Sequence, residues 1–103
     1  MPRLAHHVFF TLEDSTGEKI NELVAACQNY LNDHPGVIDF SVGERVPDLN
    51  RPVNAQYHVS LHVIFADRES HDVYQVAPRH LEFISNQKPN WKQVQVFDST
   101  LET

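Results

Sequence analysis

"YHVSLHVIF", residues 57–65, alternates apolar side chains with a second, mostly polar set, one residue at a time. Successive side chains of a β-strand point to opposite faces of the sheet, so this spacing predicts a strand. One predicted face holds Tyr57, Val59, Leu61, Val63 and Phe65, and the other holds His58, Ser60, His62 and Ile64. The first set is apolar enough to pack against a core, so we expect this face of the strand to form part of the core of the predicted fold.

The segment that follows, "ADRESHDVYQVAPRHLEF" (residues 66–83), predicts two short helices separated by a break. Asp67 has a side chain suited to an N-cap. A proline inside a helix costs ~3 kcal/mol, but it is well tolerated as the first residue of a new helix, so Pro78 predicts the break. The change of direction can bring Tyr74 and His80 to one place, although one straight helix would put them on different faces. A last strand is predicted for Trp91 to Asp98.

The segments before residue 57 complete the pattern. Residues 6–12 predict a strand, and Ser15 with Glu18 three residues later forms a capping box for a helix of about Thr16 to Asn32. A second strand is predicted for residues 37–46, followed by a loop rich in Asp, Asn and Pro. The order β-α-β-β-α-β predicts an α+β, ferredoxin-like fold: one domain over residues 1–103 with a four-stranded antiparallel sheet and helices on one face.

Composition excludes several classes of function. Fourteen acidic and eight basic residues give a net charge of −6, and the basic residues are scattered, so neither nucleic acid nor an anionic membrane is an expected partner. We expect a soluble, cytoplasmic protein, since no long apolar segment is present. Cys27 is the only cysteine, which excludes an internal disulfide and predicts a small buried hydrophobe. Three glycines form no phosphate-binding loop, and no cofactor is expected.

The helices can cover only one face of the predicted sheet, and apolar residues remain for the other face. An exposed apolar sheet face is a typical association surface, so we predict a homodimer that packs sheet to sheet. The residues assigned to this interface are His6, Val8, Phe10, Leu12, His58, His62 and Ile64. His6 and His58 are expected to lie side by side there, because the first and third strands are neighbours in this fold.

Three stretches also give the chain a family resemblance: "HVFFTL" (7–12), "FADRESHDVYQVAPRHLEF" (65–83) and "VFD" (96–98). Over about residues 4–99 the chain resembles the stress-responsive A/B barrel domain family, abbreviated Dabb. The resemblance implies ferredoxin-like subunits whose two sheets close into a dimeric α/β barrel, with the helices outside.

Plant polyketide cyclases of that family imply a candidate site. They use a tyrosine and histidines, in a pocket between sheet and helices, to abstract a proton from a carbonyl compound. The matching residues here are Tyr74, His80 and His7, while Val59 stands where the cyclases have a further histidine. The expected pocket walls are Val59, Leu61, Leu23 and Cys27.

Seven histidines raise the question of a metal site. His58 and His62 would lie roughly 13 Å apart on a strand, too far to share an ion. His6 and His7 point to opposite faces, so no metal is expected within one chain, and an ion bridging two subunits stays open. Three functions remain: binding of a small apolar or carbonyl ligand with a stress-associated role, proton-transfer catalysis by His80, Tyr74 and His7, or a purely structural assembly unit.

Overall fold

The computed structural model describes residues 2–102 and has the predicted ferredoxin-like order of elements. The elements are β1 Leu4–Leu12, α1 Gly17–Tyr30, β2 Val37–Glu44, β3 Val59–Phe65, α2 Arg68–Val76, α3 Pro78–Gln87, a 3-10 turn Lys88–Asn90, and β4 Trp91–Thr100. The predicted fold class is therefore confirmed, with the second helical segment divided in two. Within residues 2–102, every helix is too short or too polar to cross a membrane.

The four strands form one antiparallel sheet in the order β2-β3-β1-β4. β1 is a central strand, so each of its residues has a partner on both sides. His6 lies opposite Val63 of β3 and Asp98 of β4, and His7 lies opposite His62 and Phe97. Directly opposed residues of antiparallel strands share a face, so these partners show which face each histidine occupies.

The helix starts follow capping chemistry. Thr16 caps α1, since its hydroxyl accepts from the backbone N–H of Lys19, so the cap lies one residue after the predicted Ser15. The predicted cap of α2 is confirmed: the Asp67 carboxylate accepts from the N–H of Ser70 at 2.8 Å. Each cap satisfies a backbone donor that the first helical turn leaves unpaired.

The break at Pro78 is also confirmed. α2 ends at Val76, Ala77 is extended with φ −63° and ψ 140°, and Pro78 is the first residue of α3. A residue before proline disfavours the helical conformation, which explains why the helix stops there. Leu81 then resumes helical bonding by donating its N–H to the carbonyl of Ala77.

A glycine fixes the connection from α1 to β2. Gly36 has φ +83°, and a Cβ atom at this position would collide with the side chain of Ser70 at the start of α2. Its carbonyl also accepts the N–H of Ala66 at 2.8 Å. Only glycine combines this left-handed backbone with so close an approach.

The core lies between the helices and one face of the sheet, and it corrects our assignment for β1. His6, Val8, Phe10 and Leu12, which we placed on the uncovered face, are buried under the helices within a single chain. Both faces of this strand carry phenylalanine, so composition left the alternation ambiguous. The register decides it, because Val8 lies opposite Leu61 and must share its core face.

The uncovered face of the sheet, called here the open face, carries the alternate set of side chains. Phe9 is its centre: its ring lies 5.0 Å from Tyr57, 5.9 Å from His62 and 5.8 Å from Phe97, measured between ring centroids. Ile64 is only half-buried and shares the phase of His62. His62 and Ile64 therefore lie on the face that the sequence predicted for them. Tyr57, predicted for the core face, instead contacts Phe9 on the open face, because β3 begins only at Val59 and the alternation does not extend to Tyr57.

Candidate functional site

A cavity of about 300 Å³ opens between the helices α2 and α3 and the strands β1 and β4. Its apolar walls include Val8, Phe10, Leu61, Phe83 and Trp91. Its polar end is formed by His6, His71, Tyr74, His80 and Asp98. An apolar cavity with a few convergent polar groups is the usual form of a small-ligand site.

Tyr74 and His80 meet at this cavity, as the break at Pro78 predicted. Their ring centroids are 4.6 Å apart. Tyr74 is 1% exposed, and its hydroxyl has no hydrogen-bond partner among residues 2–102. Burial raises the pKa of Tyr74, so the hydroxyl keeps its proton at neutral pH. The result is a buried hydrogen-bond donor without a protein acceptor.

His80 is held in one tautomer by the backbone. Its Nδ1 lies 3.1 Å from the carbonyl oxygen of Gln75, which can only accept, so Nδ1 carries the proton and Nε2 has the lone pair. Burial lowers the pKa of His80 more than this hydrogen bond raises it. The ring is therefore neutral at pH 7 and suited to act as a base.

The strand-one histidine of the cavity is His6, so the placement of His7 in the pocket was wrong. The His6 ring lies 6.0 Å from the Tyr74 ring, and its Nδ1 is 2.5 Å from an Asp98 carboxylate oxygen. His7 lies on the open face, with its Nδ1 2.6 Å from Nδ1 of His62. Adjacent residues of a strand alternate in direction, so an error of one position moves a side chain through the sheet.

Burial dominates the electrostatics of His6. It lowers the pKa of the ring, while the hydrogen bond to Asp98 and the negative charge of that carboxylate oppose it. His6 is therefore a neutral ring that donates from Nδ1 to Asp98. This pairing ties β4 to the polar end of the cavity.

Most of the predicted pocket walls also lie outside the cavity. Leu61 lines the cavity, but Val59, Leu23 and Cys27 lie deeper in the core, at 0%, 1% and 0% exposure. α1 packs towards β2 and β3, whereas the cavity lies on the β1 and β4 side of the sheet. Cys27 is the buried hydrophobe we predicted, and burial raises the pKa of its thiol to about 12.

His58 is not beside His6. Its ring Nδ1 accepts from the backbone N–H of Leu12 at 3.0 Å, and its backbone N–H donates to the carbonyl of Phe10. These contacts lie at the opposite end of β1 from His6. The predicted His6–His58 pair is therefore wrong, and the histidines of β1 and β3 that lie side by side are His7 and His62.

The cavity residues that the sequence reading missed include His71, Asp98 and Trp91. His71 precedes Tyr74 by three positions on α2, so helical spacing places both on one face. Asp98 belongs to the quoted "VFD" stretch, but only the pairing of β1 with β4 brings it to His6. Trp91 begins β4, and its indole N–H is buried without a partner among the described residues.

Comparison with known proteins gives a family. The family model for the stress-responsive A/B barrel domain matches residues 4–101. A Dabb family protein with a ferredoxin-like fold from Mesorhizobium loti has 20% sequence identity and a TM-score of 0.80, with 100% of each chain covered. No curated protein matched the chain in sequence.

Two further solved structures have the same fold. A dimeric ferredoxin-like protein from Thermobifida fusca has 14% identity and a TM-score of 0.83, covering 97% of this chain and 92% of its own. The hydroxynitrile lyase from Passiflora edulis has 16% identity and a TM-score of 0.82, covering 98% of this chain and 94% of its own. At such low identities the likeness concerns the fold alone.

Proposed function

The chain belongs to the stress-responsive A/B barrel domain family, and from that premise we propose that it binds a small, mostly apolar molecule carrying a carbonyl or hydroxyl oxygen. The observation that carries the proposal concerns Tyr74, which lines the cavity and whose buried hydroxyl has no hydrogen-bond partner among residues 2–102. A ligand oxygen would accept from it and remove the cost of an unsatisfied buried group, about 1–3 kcal/mol.

The size and walls of the cavity support a ligand of this class. Its volume of about 300 Å³ is at the small end of ligand sites. Phe10, Phe83 and Trp91 stand close together, with ring centroids 5.0 Å and 5.7 Å from Trp91. Such walls favour a single aromatic ring or a short alkyl chain.

Proton transfer is the second candidate function. It is supported by the tautomer of His80, whose Nε2 lone pair is fixed by the bond from Nδ1 to Gln75. In this mechanism Nε2 takes a proton from the carbon beside a carbonyl, and the Tyr74 hydroxyl donates a hydrogen bond to the carbonyl oxygen as negative charge develops there. His80 and Tyr74 keep the roles that the resemblance implies, while His6 replaces His7 at the site. The hydroxynitrile lyase among the similar structures indicates that this fold can support an enzyme.

The homodimer remains part of the proposal, with the open face as its interface. Phe9 and Phe97 form an apolar pair there, and Phe97 is 52% exposed in a single chain. A second copy of the chain is the occupant we favour, because similar structures of this fold are dimeric. A stress-associated role and a cytoplasmic location stay predictions.

Binding can be tested with two probes of similar shape, acetophenone and ethylbenzene. Titration followed by NMR should place both in the cavity, with acetophenone tighter because it accepts from Tyr74. Tyr74→Phe should weaken acetophenone binding about 5- to 10-fold, the value of roughly one hydrogen bond, and leave ethylbenzene unchanged. His62→Gln, on the open face, is the matched control. Equal binding of acetophenone by wild type and Tyr74→Phe would contradict the proposal.

Proton transfer has a separate test. In D₂O, His80 should exchange the methyl protons of bound acetophenone for deuterium, a reaction that NMR follows directly. His80→Gln should lose this exchange while still binding the ketone. If the exchange rate equals that of buffer alone, the protein binds the ligand without proton transfer.

A further inference from the structure

A three-residue cluster at the edge of the cavity lies beside Tyr74 and His80, the two residues that carry the proposed proton transfer. It consists of His6 on β1, His71 on α2 and Asp98 on β4, called here the His–His–Asp cluster. Each residue offers one ligand atom, and the three atoms lie within 4.8 Å of one another. Two imidazoles and one carboxylate form a donor set that proteins use for divalent transition metals with open coordination positions.

His71 is oriented as a ligand would be. Its Nδ1 donates to the Asp72 carboxylate at 3.0 Å, which leaves the lone pair on Nε2. Nε2 faces the second Asp98 oxygen at 3.9 Å and has one long contact, 3.4 Å, with the amide nitrogen of Gln75. Metal-binding histidines commonly donate their other ring N–H to a carboxylate in this way.

The arrangement places two lone-pair donors opposite each other. Nε2 of this tautomer and the Asp98 oxygen both carry negative partial charge and repel each other. A cation bound between them would turn this repulsion into two attractive contacts. The other Asp98 oxygen contacts Nδ1 of His6 at 2.5 Å. Atoms bound to one zinc-like ion at about 2.1 Å lie about 3.4 Å apart, between these two distances, so movements of less than about 1 Å would complete the site.

Burial also suits an ion. The side chains of His6 and His71 are 5% and 13% exposed, whereas Asp98 is 40% exposed. Two ligands are thus largely withdrawn from water, and the third leaves a path for an ion to enter. For His6 to bind through Nδ1, its proton must lie on Nε2, a change of tautomer without a change of charge.

We infer that His6, His71 and Asp98 bind a divalent first-row transition-metal ion of the zinc type. Three protein ligands leave at least one coordination position for water or a ligand oxygen. The cluster borders the cavity that Tyr74 and His80 also line. An ion there can polarise the carbonyl oxygen of a ligand. This polarisation rests on the proposed function, whereas the binding of the ion is independent of it.

Isothermal titration of the chelator-treated chain with Zn²⁺ tests the inference, with no organic ligand present. One ion per chain is expected. His71→Gln and Asp98→Asn should each lower the affinity by more than about 100-fold, and Asp72→Asn by about 10- to 100-fold, because Asp72 only orients His71. The visible absorption of bound Co²⁺ should change in the same variants, and melting curves confirm that each is folded.

His62→Gln is the matched control, because His7 and His62 on the open face offer a competing pair of nitrogens 2.6 Å apart. It should bind Zn²⁺ like the wild type. Absence of saturable binding would overturn the inference, and so would binding that His62→Gln removes while His71→Gln and Asp98→Asn retain it. Acetophenone titration of the metal-free chain tests the ligand proposal by itself, so a failure of ion binding and a failure of ligand binding can be distinguished.

Discussion

His6 and His7 are adjacent in the sequence, yet they belong to opposite faces of the sheet with different chemistry. His6 faces the helices, where it meets Asp98, His71 and Tyr74. His7 faces away from them and meets His62. The comparison teaches that, in this fold, one strand contributes to two surfaces: the cavity, for which we propose a ligand, and the open face, for which we propose a second copy of the chain.

Burial lowers the pKa of one histidine on each face, His6 and His62, but the charged groups around these two rings differ. The pKa of His6 is lowered by burial against an opposing carboxylate. The pKa of His62 is lowered by burial and further by the positive charge that His7 would carry. Protonation on the cavity face can be compensated by Asp98, whereas on the open face it places two like charges together.

The largest expected effect separates the faces through two neighbouring phenylalanines. Phe10→Ala should lower the free energy of unfolding by about 3–5 kcal/mol, because Phe10 is 2% exposed in the core. Phe9→Ala should cost less in folding and instead raise the dimer dissociation constant. Urea denaturation and analytical ultracentrifugation measure the two effects. Equal losses of folding stability would break the distinction between the faces.

Gly36→Ala should have the next largest effect, a loss of about 1–3 kcal/mol, since its φ of +83° and the contact with Ser70 both exclude a side chain. Gly43→Ala is the matched control, because a Cβ there meets nothing within 4 Å. Thermal melting of both variants checks this. The same melting temperature in both would show that the α1–β2 connection does not restrain α2 above the cavity.

Tyr74→Phe should stabilise the unliganded protein by about 1 kcal/mol, because it removes a buried hydroxyl without a partner. The same variant should lose acetophenone affinity. A gain in stability joined to a loss of binding would mark the cavity face as a functional surface. A destabilised Tyr74→Phe would instead mean that the hydroxyl has a structural partner.

Acid should destabilise the folded chain through His62 on the open face. The pKa of His62 in the folded single chain lies below its ordinary value of 6.5, so the unfolded chain takes up the proton first as the pH falls. The contribution of a neutral His62 is thus present above about pH 6.5 and is lost as the pH falls through the lowered pKa. The free energy of unfolding, measured by urea denaturation, should fall between pH 7.5 and 5.5, and less so in His62→Gln. The same pH dependence in wild type and His62→Gln would contradict this.

The smallest effect is expected away from both faces. Lys19 and Glu22 form an exposed pair on α1 at 3.7 Å. Lys19→Ala should change the free energy of unfolding by less than about 0.5 kcal/mol and leave dimerisation and ligand binding unaltered. A larger loss of unfolding free energy, measured by urea denaturation, would mean that substitutions away from both faces also affect stability strongly. The effects at Phe9 and Phe10 could then not be assigned to their faces.

The sequence was most informative where a local rule acts on consecutive residues. The alternation of residues 57–65 predicted β3, Asp67 predicted the start of α2, and Pro78 predicted the break that brings Tyr74 to His80. Each depends on backbone chemistry within a few residues. These features identified two of the cavity residues before any tertiary contact was considered.

The rest of the site depended on partners distant in sequence. β1 carries Phe9 on one face and Phe10 on the other, so its hydrophobic pattern fits either phase, and we chose the wrong one. Only the register with β3 and β4 moves His6 into the cavity and His7 out of it. Asp98 could not be found from spacing either, because it reaches His6 across 92 residues of chain.

The amino-acid sequence by itself determined the order of the elements, the breaks between them and the family, because capping, proline geometry and strand alternation act over short distances. Only the tertiary structure decided which histidine faces the cavity and which faces away. The physical reason is that a strand with two apolar faces has no preferred side until its neighbours pair with it. The His–His–Asp cluster exists only through that pairing.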